Sequence, residues 1–461
     1  MTPWTLPVEA LRLPRPQRRL QVLADDLCRG RSVLWFLPAP APIESLLSAL
    51  EETCRGRATL ETSHVPLDTE WPIEWLASRY HLDATPPSGN AVASLYEADT
   101  VPEILILRDL ENASDGALGQ WKRFISEWVG YSKRPDIMPA ERKALLIPVR
   151  DAAAIAALDE MAEDAFLAKA WYRGWVTSRE TRVVAAALFE DHGISGAKAL
   201  WGEAVWSNLA GSDLECLAWM MEKADIDSSI RDQLRVVREY AEARAFSPVL
   251  DATQGSSARE EALAHTARAE HLPESPSSSA ERLLWSTGLL TWDHDEGPVV
   301  HSAALALLGR TADLNHRVWR GQAAILLPML DRYRLEVCHI LGQRFTEWAE
   351  FARTRDAEVA REPPNEDCGA VEFGDIVEFL DRFRTVPWLR QLRQAVDRMR
   401  RVRNTLAHYS PVEWPEFRDV CEEFWRLRRN GGVGLGGWSY QLGLKSTHTG
   451  SEGPRHGRRP V

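Results

Sequence analysis

The sequence predicts an α/β N-terminal domain built on a parallel sheet, followed by mainly α-helical middle and C-terminal domains. Three observations carry this expectation. Short apolar runs at Arg31–Pro38, Glu103–Leu107 and Ala144–Val149 sit between polar or proline flanks, as buried strands do. Helical patterns such as Ala41–Arg55 and Gly116–Val129 lie between those runs, which is the βαβ alternation of a parallel sheet. From residue 151 onward the pattern switches to helical periodicity.

A chain of 461 residues is too long for one ordinary core and implies two to four domains. The expected boundaries are an α/β domain at 1–150, a helical domain at 151–250, a linker at 251–281, a helical domain at 282–429 and a disordered tail at 430–461. The linker rests on Gly255-Ser256-Ser257 and on Pro273 to Ser279, and the tail on five glycines between Gly431 and Gly437. The hydrophobic fraction of 44% and charged fraction of 26% are those of a globular chain, and no run is long enough to span a bilayer. A cytoplasmic location without membrane contact is expected. Six scattered cysteines form no Cys-x-x-Cys pair, so neither a zinc ribbon nor a disulfide scaffold is expected. The formal net charge of -12 excludes general nucleic-acid binding and confines any RNA contact to a local patch.

In chain order, a short helix at Gln17–Cys28 precedes the first strand, and Ala41–Arg55 follows it. The helices expected next are Ala152–Leu167, Arg179–Phe189, Ala197–Leu209, Asp213–Glu222 and Ser228–Ala245. After the linker come Glu281–Leu289, Ser302–Leu308, Leu314–Arg353, Phe373–Phe383, Pro387–His408 and Trp414–Arg429, with a kink or break expected near Leu327 because Pro328 follows it. The stretch Trp292-Asp293-His294-Asp295-Glu296, with His301 downstream, has metal-ligand types but reads better as an exposed acidic loop. No metal site is expected. Nineteen tryptophans spread over several helices are expected to anchor cores.

The strand, loop, helix layout at residues 31–55, with Asp109 and Glu111 after a later strand, resembles a P-loop NTPase of the AAA or STAND kind. The residues that carry such chemistry are missing. After the first strand stands Pro38-Ala39-Pro40-Ala41-Pro42-Ile43-Glu44-Ser45, with no glycine, and no lysine precedes Lys122. Neither a backbone cradle nor a cation for phosphate is present. A degenerate NTPase-like domain that does not hydrolyse ATP, holds no cofactor and docks a protein partner is expected. Trp171-Tyr172-Arg173-Gly174-Trp175 resembles the start of the helical lid or winged helix that follows such domains.

The second landmark is the segment Pro387 to Ser410. Trp388, Leu389, Leu392, Val396, Met399, Val402 and Leu406 form an apolar stripe at helical spacing. The opposite face is basic: seven arginines between Arg384 and Arg403 stand against Asp397 alone. Guanidinium forks match phosphate oxygens, and an imidazole moves protons near neutral pH. Arg403-Asn404, three residues, then His408 resembles the signature of HEPN domains, all-helical modules of prokaryotic toxins and antiviral systems, over about 283–429. The resemblance implies metal-independent cleavage of RNA at a composite site in a homodimer formed through the C-terminal helical domain. In that scheme His408 moves the proton of the ribose 2′-OH or of the leaving group, Arg403 stabilises charge on phosphorus and Asn404 positions one of them. Arg393, Arg400 and Arg401 would hold the RNA backbone. Arg334 and His339 repeat the five-residue spacing, but Leu335, Val337, Cys338, Ile340 and Leu341 mark that stretch as buried helix. The alternatives are a helix end where His408 caps carbonyls, a non-enzymatic scaffold using the helical block for dimerisation, and an adaptor that binds nucleic acid without cutting it.

Overall fold

The computed structural model of the protein describes residues 8–39, 41–66, 69, 71–82, 91–110, 115–173, 175–244, 279–293, 297–359 and 371–430. Most of the expected linker, the tail from 431, His294, Asp295, Glu296 and Glu111 lie outside these residues.

The first half alternates helix and strand: α1 (Pro14–Cys28), β1 (Ser32–Phe36), α2 (Ile43–Cys54), β2 (Leu60–His64), α3 (Pro72–Arg79), α4 (Ala91–Glu97), β3 (Ile104–Arg108), α5 (Asp115–Ser132), β4 (Ala144–Val149), α6 (Ala152–Asp159) and β5 (Leu167–Trp171). The five strands form one parallel sheet in the order β2-β3-β4-β1-β5. The expected α/β class, a parallel sheet followed by helices, is the one observed. β1 and β4 are buried at every residue, because they lie inside the sheet with helices on its faces. On one side Val33, Trp35, Ile104, Ile106 and Leu146 join Leu20, Leu23, Leu27, Leu46 and Leu50 of α1 and α2 in a core.

Two strands had no clear signal in the sequence. β2 reads Leu-Glu-Thr-Ser-His and β5 reads Leu-Ala-Lys-Ala-Trp, and both are edge strands, half-exposed over three residues. β5 also corrects two expectations. The helix expected over Ala152–Leu167 ends at Asp159, and the sheet continues past residue 150. Trp171 therefore closes a strand and begins no lid, while Trp175 is buried 5.6 Å from Trp35.

Helices follow: α7 (Ser178–Asp191), α8 (Ala197–Trp201), a π-helical turn (Gly202–Trp206), α9 (Ser207–Ala210), α10 (Leu214–Lys223) and α11 (Ile230–Ala243). Then come α12 (Ser279–Ser286), the hairpin β6 (Leu290–Asp293) and β7 (Gly297–Val300), α13 (Ser302–Leu307), α14 (Thr311–Arg344), α15 (Thr346–Val359), α16 (Phe373–Asp381), α17 (Pro387–Ala407) and α18 (Trp414–Asn430). α14 runs through Pro328 without a break. Pro328 and Ala324, whose carbonyl loses its donor, both lie on the exposed face, so water can serve that carbonyl. The long helix expected at Leu314–Arg353 does divide, at Phe345, whose ring turns toward Phe379 and Phe383.

By compactness the chain forms two units, 1–331 with 396–421, and 332–395 with 422–461. This division cuts across the boundaries expected from composition. In the first unit α12 joins the α/β layer through a buried Arg173–Glu281 ion pair at 2.7 Å and an Ala39 N–H donated to Ser286. Trp201 packs edge-on against Trp414 and Phe417, and the Ile230 N–H donates to Glu413. Gln233, 1% exposed, accepts both the Trp201 and the Trp206 indole N–H at 2.9 Å. The second unit is centred on Phe345, Trp348, Phe351, Phe379 and Phe383. There Asp381 takes Arg384 and Arg393, whose hydrogen bonds hold its carboxyl down at about 2.

Replacing Gln233 by Leu orphans two buried indole donors, and a loss of about 2–4 kcal/mol is expected in urea unfolding. For Asp381 the carboxyl is depressed in the fold, so its contribution is complete above the unfolded value and vanishes as pH falls toward 2. The stability difference between wild type and Asp381→Asn is expected to shrink between pH 5 and pH 2, measured by denaturation at each pH.

Candidate functional site

In open parallel α/β sheets, ligands bind outside the carboxyl ends of the strands. Here that region holds an ion pair between Glu44 and Arg108. Glu44 lies in the first turn of α2, where the exposed N–H groups and the helix dipole favour an anion. Its carboxylate receives both terminal nitrogens of Arg108, from the end of β3, at 2.9 and 2.6 Å. The Arg108 side chain is only 11% exposed. The crevice lined by Pro38, Pro42, Tyr172, Trp175, Trp285 and His301 offers a volume of about 70 Å³, whereas small-molecule pockets run to roughly 300–1,000 Å³. Asp109, with a left-handed φ of 65°, gives its carboxylate to Nδ1 of His64 at 2.6 Å. A magnesium nucleotide does not fit these residues: the loop after β1 has no glycine or lysine to hold phosphate, Arg108 is engaged by Glu44 and Asp109 by His64.

His301 has a structural task in the same unit. Its Nδ1 accepts the Ala303 N–H and caps α13, and its Nε2 lies 3.2 Å from Asp213. Burial works to raise the Asp213 carboxyl, but His301, Tyr240 and the Cys216 N–H together hold it below its ordinary value. Among the described residues, no group of three His, Cys, Asp or Glu side chains is placed to hold a metal ion.

The C-terminal end of α17 is built differently, because its polar groups face water. Val402 and Leu406 are buried, and Asn404 and His408, one turn apart on one face, are exposed. Arg403 is half-buried. The helix closes in a Schellman motif: the Ser410 N–H reaches Thr405 and the Tyr409 N–H reaches Leu406. Leu406 receives, in addition, the Trp319 indole N–H at 2.7 Å. The last carbonyls are thus met by backbone and by Trp319, and not by a His408 cap. Among the described residues neither the His408 imidazole nor the Asn404 amide makes a hydrogen bond.

The expected RNA-holding arginines divide. Arg400 and Arg401 share Asp397 at 2.8 and 3.7 Å, with Arg401 the more exposed. Arg393 belongs to the second unit, where it binds Asp381 at 2.6 Å. At the other Arg-to-His spacing, Arg334 donates to the Val371 carbonyl and His339 meets Gln343, in a helix whose Val337, Cys338 and Leu341 are buried.

Sequence reasoning missed the aromatic groups at this end. Tyr409 occupies the left-handed position of the Schellman motif, with φ 58°, and is 67% exposed. Its ring lies 4.8 Å from Trp319, which stacks on His316 at 4.9 Å. Tyr409 adjoins His408 in sequence, but nothing in the sequence pairs it with residues ninety positions earlier.

No protein-family profile and no curated protein matches this sequence. Among solved structures, the chain is similar to Cdc6p from Pyrobaculum aerophilum, with 15% identity and a TM-score of 0.33 over 68% of this chain and 88% of that one. It is also similar to the RuvB Holliday junction branch migration motor of Thermotoga maritima, with 14% identity and a TM-score of 0.28 over 64% and 93%. Likenesses this distant carry over no residue role.

At a left-handed position a side chain with a Cβ costs roughly 1 kcal/mol relative to glycine. Tyr409→Gly is therefore expected to be about 1 kcal/mol more stable than Tyr409→Ala, since both lose the ring and glycine alone fits the backbone. Paired urea titrations check this.

Proposed function

We propose that this protein is a metal-independent endoribonuclease of the HEPN type, acting in phage defence or a toxin system, whose N-terminal domain senses or docks a partner and hydrolyses no ATP. The observation that supports it is the free polar edge of α17: the helix end is satisfied without His408, so the imidazole and the Asn404 amide are left to meet a substrate. His408 takes the proton of a ribose 2′-OH, or delivers one to the leaving oxygen. Arg403 meets charge developing on the phosphate, and Asn404 positions one of these two side chains. The 2′-oxygen attacks the adjacent phosphorus, the bond to the 5′-oxygen of the next nucleotide breaks, and a cyclic phosphate remains. A homodimer through the C-terminal helices would supply the second copy of each residue. The reading of the N-terminal domain is supported by the lack of glycine and lysine in the loop after β1 and by the engagement of Arg108 with Glu44.

The second reading is a scaffold or regulatory subunit of a defence complex that uses the same helices for dimerisation only. Arg393, tied to Asp381, and Arg400 and Arg401, sharing Asp397, favour it, because arginines with acidic partners are less available to RNA.

Purified protein incubated with total RNA in EDTA is expected to leave cyclic phosphate ends. Loss of one proton-transfer group or of one charge-stabilising donor costs on the order of 10²-fold or more, so His408→Ala and Arg403→Ala should each lower cleavage by at least that factor at unchanged helical content. Equal cutting by wild type and both variants would overturn the nuclease reading.

A further inference from the structure

We propose that His316, Trp319 and Tyr409 form a stacking platform for an unpaired nucleobase of single-stranded RNA, beside His408. The idea rests on the nuclease reading for its substrate class, but on separate observations for its place. Trp319 is fixed at its polar end by the bond to Leu406, and His316 and Tyr409 lie against it at 4.9 and 4.8 Å. The His316 and Tyr409 planes are within 29° of each other. Such a cluster would be unremarked in a core, yet Tyr409 is 67% exposed and His316 is exposed as well.

The backbone sharpens the point. Tyr409 stands where a helix end favours glycine, in a conformation bulky side chains rarely adopt, and burial does not compensate for it. The ring is held out to solvent at the residue after His408. Every base has a π-face, so an exposed aromatic surface takes bases of any sequence. Arg401, 69% exposed and held by Asp397 only at 3.7 Å, lies on the helix that leads to the ring and suits the phosphates that follow a stacked base. A duplex offers no such base face, because its bases are already stacked. The platform therefore selects unpaired RNA.

The test is binding of fluorescently labelled single-stranded and duplex RNA oligonucleotides to full-length protein carrying His408→Ala, so that the ligand survives. Tyr409→Gly, Tyr409→Ala and Tyr409→Phe are compared in that background. Stacking on one aromatic ring is worth about tenfold in affinity or more. The expected result is a single-strand preference, at least a tenfold loss in the glycine and alanine variants alike, and retention in the phenylalanine variant. Glycine relieves the backbone, so its loss of binding cannot come from misfolding, and circular dichroism of each variant verifies that. Unchanged affinity in Tyr409→Gly, equal affinity for duplex, or no RNA binding by the parent protein would overturn the platform. Cleavage is scored separately with unsubstituted His408: tyrosine-dependent binding without cleavage would remove the nuclease reading and leave the platform standing.

Discussion

One side chain holds the end of α17 in place. Gln322 is fully buried in α14, and it donates its amide N–H to the Val412 carbonyl at 2.7 Å while its amide oxygen accepts the Val412 N–H at 2.8 Å. A buried polar group is costly unless both its donor and its acceptor are met, and here one residue meets them at a single backbone position. Trp319, three residues earlier, grips Leu406 in the same way. Between these two fixed points the chain leaves α17, turns through His408 and Tyr409 and enters α18. Exposed side chains are therefore carried on a backbone that is pinned on both sides, which is what a site that must hold geometry requires.

The N-terminal layer shows the opposite use of polar groups. Arg108 and Glu44 are matched in charge and in fork geometry, and each engages the other. The loop after β1 carries Pro38, Pro40 and Pro42 and no glycine.

The interior of the sheet was legible in the sequence because β1, β3 and β4 are continuous apolar runs, and burial on both faces demands that. β2 and β5 were not, since an edge strand needs apolar residues only where it meets the layer below. Trp35, Trp121, Trp128, Trp201, Trp206 and Trp348 are nearly inaccessible, as core anchors should be, whereas Trp71 and Trp388 are exposed. At α17 the sequence marked the helix, its buried stripe and its polar end. It did not show that Arg393 would be taken by Asp381, or that Trp319 would arrive beside Tyr409, because those pairings depend on segments far apart along the chain. Boundaries were the least legible feature, as composition marks where a chain can bend and says little about which helices share a core.

The division of the chain into two units has a kinetic side. The first unit is interrupted: its last piece, 396–421, is separated from the rest by the whole of 332–395. During synthesis the sheet, α7 to α11 and the first turns of α14 emerge first, with Gln322 and the edge of Trp201 awaiting partners that do not yet exist. Bringing 412 to 322 closes a long loop, and the entropic cost of that closure grows only slowly with its length. If 332–395 collapses on its own aromatic cluster, the effective loop shortens, and the late strap finds its place sooner. The folding order built into this arrangement makes the end of α17 the last part of the first unit to be assembled.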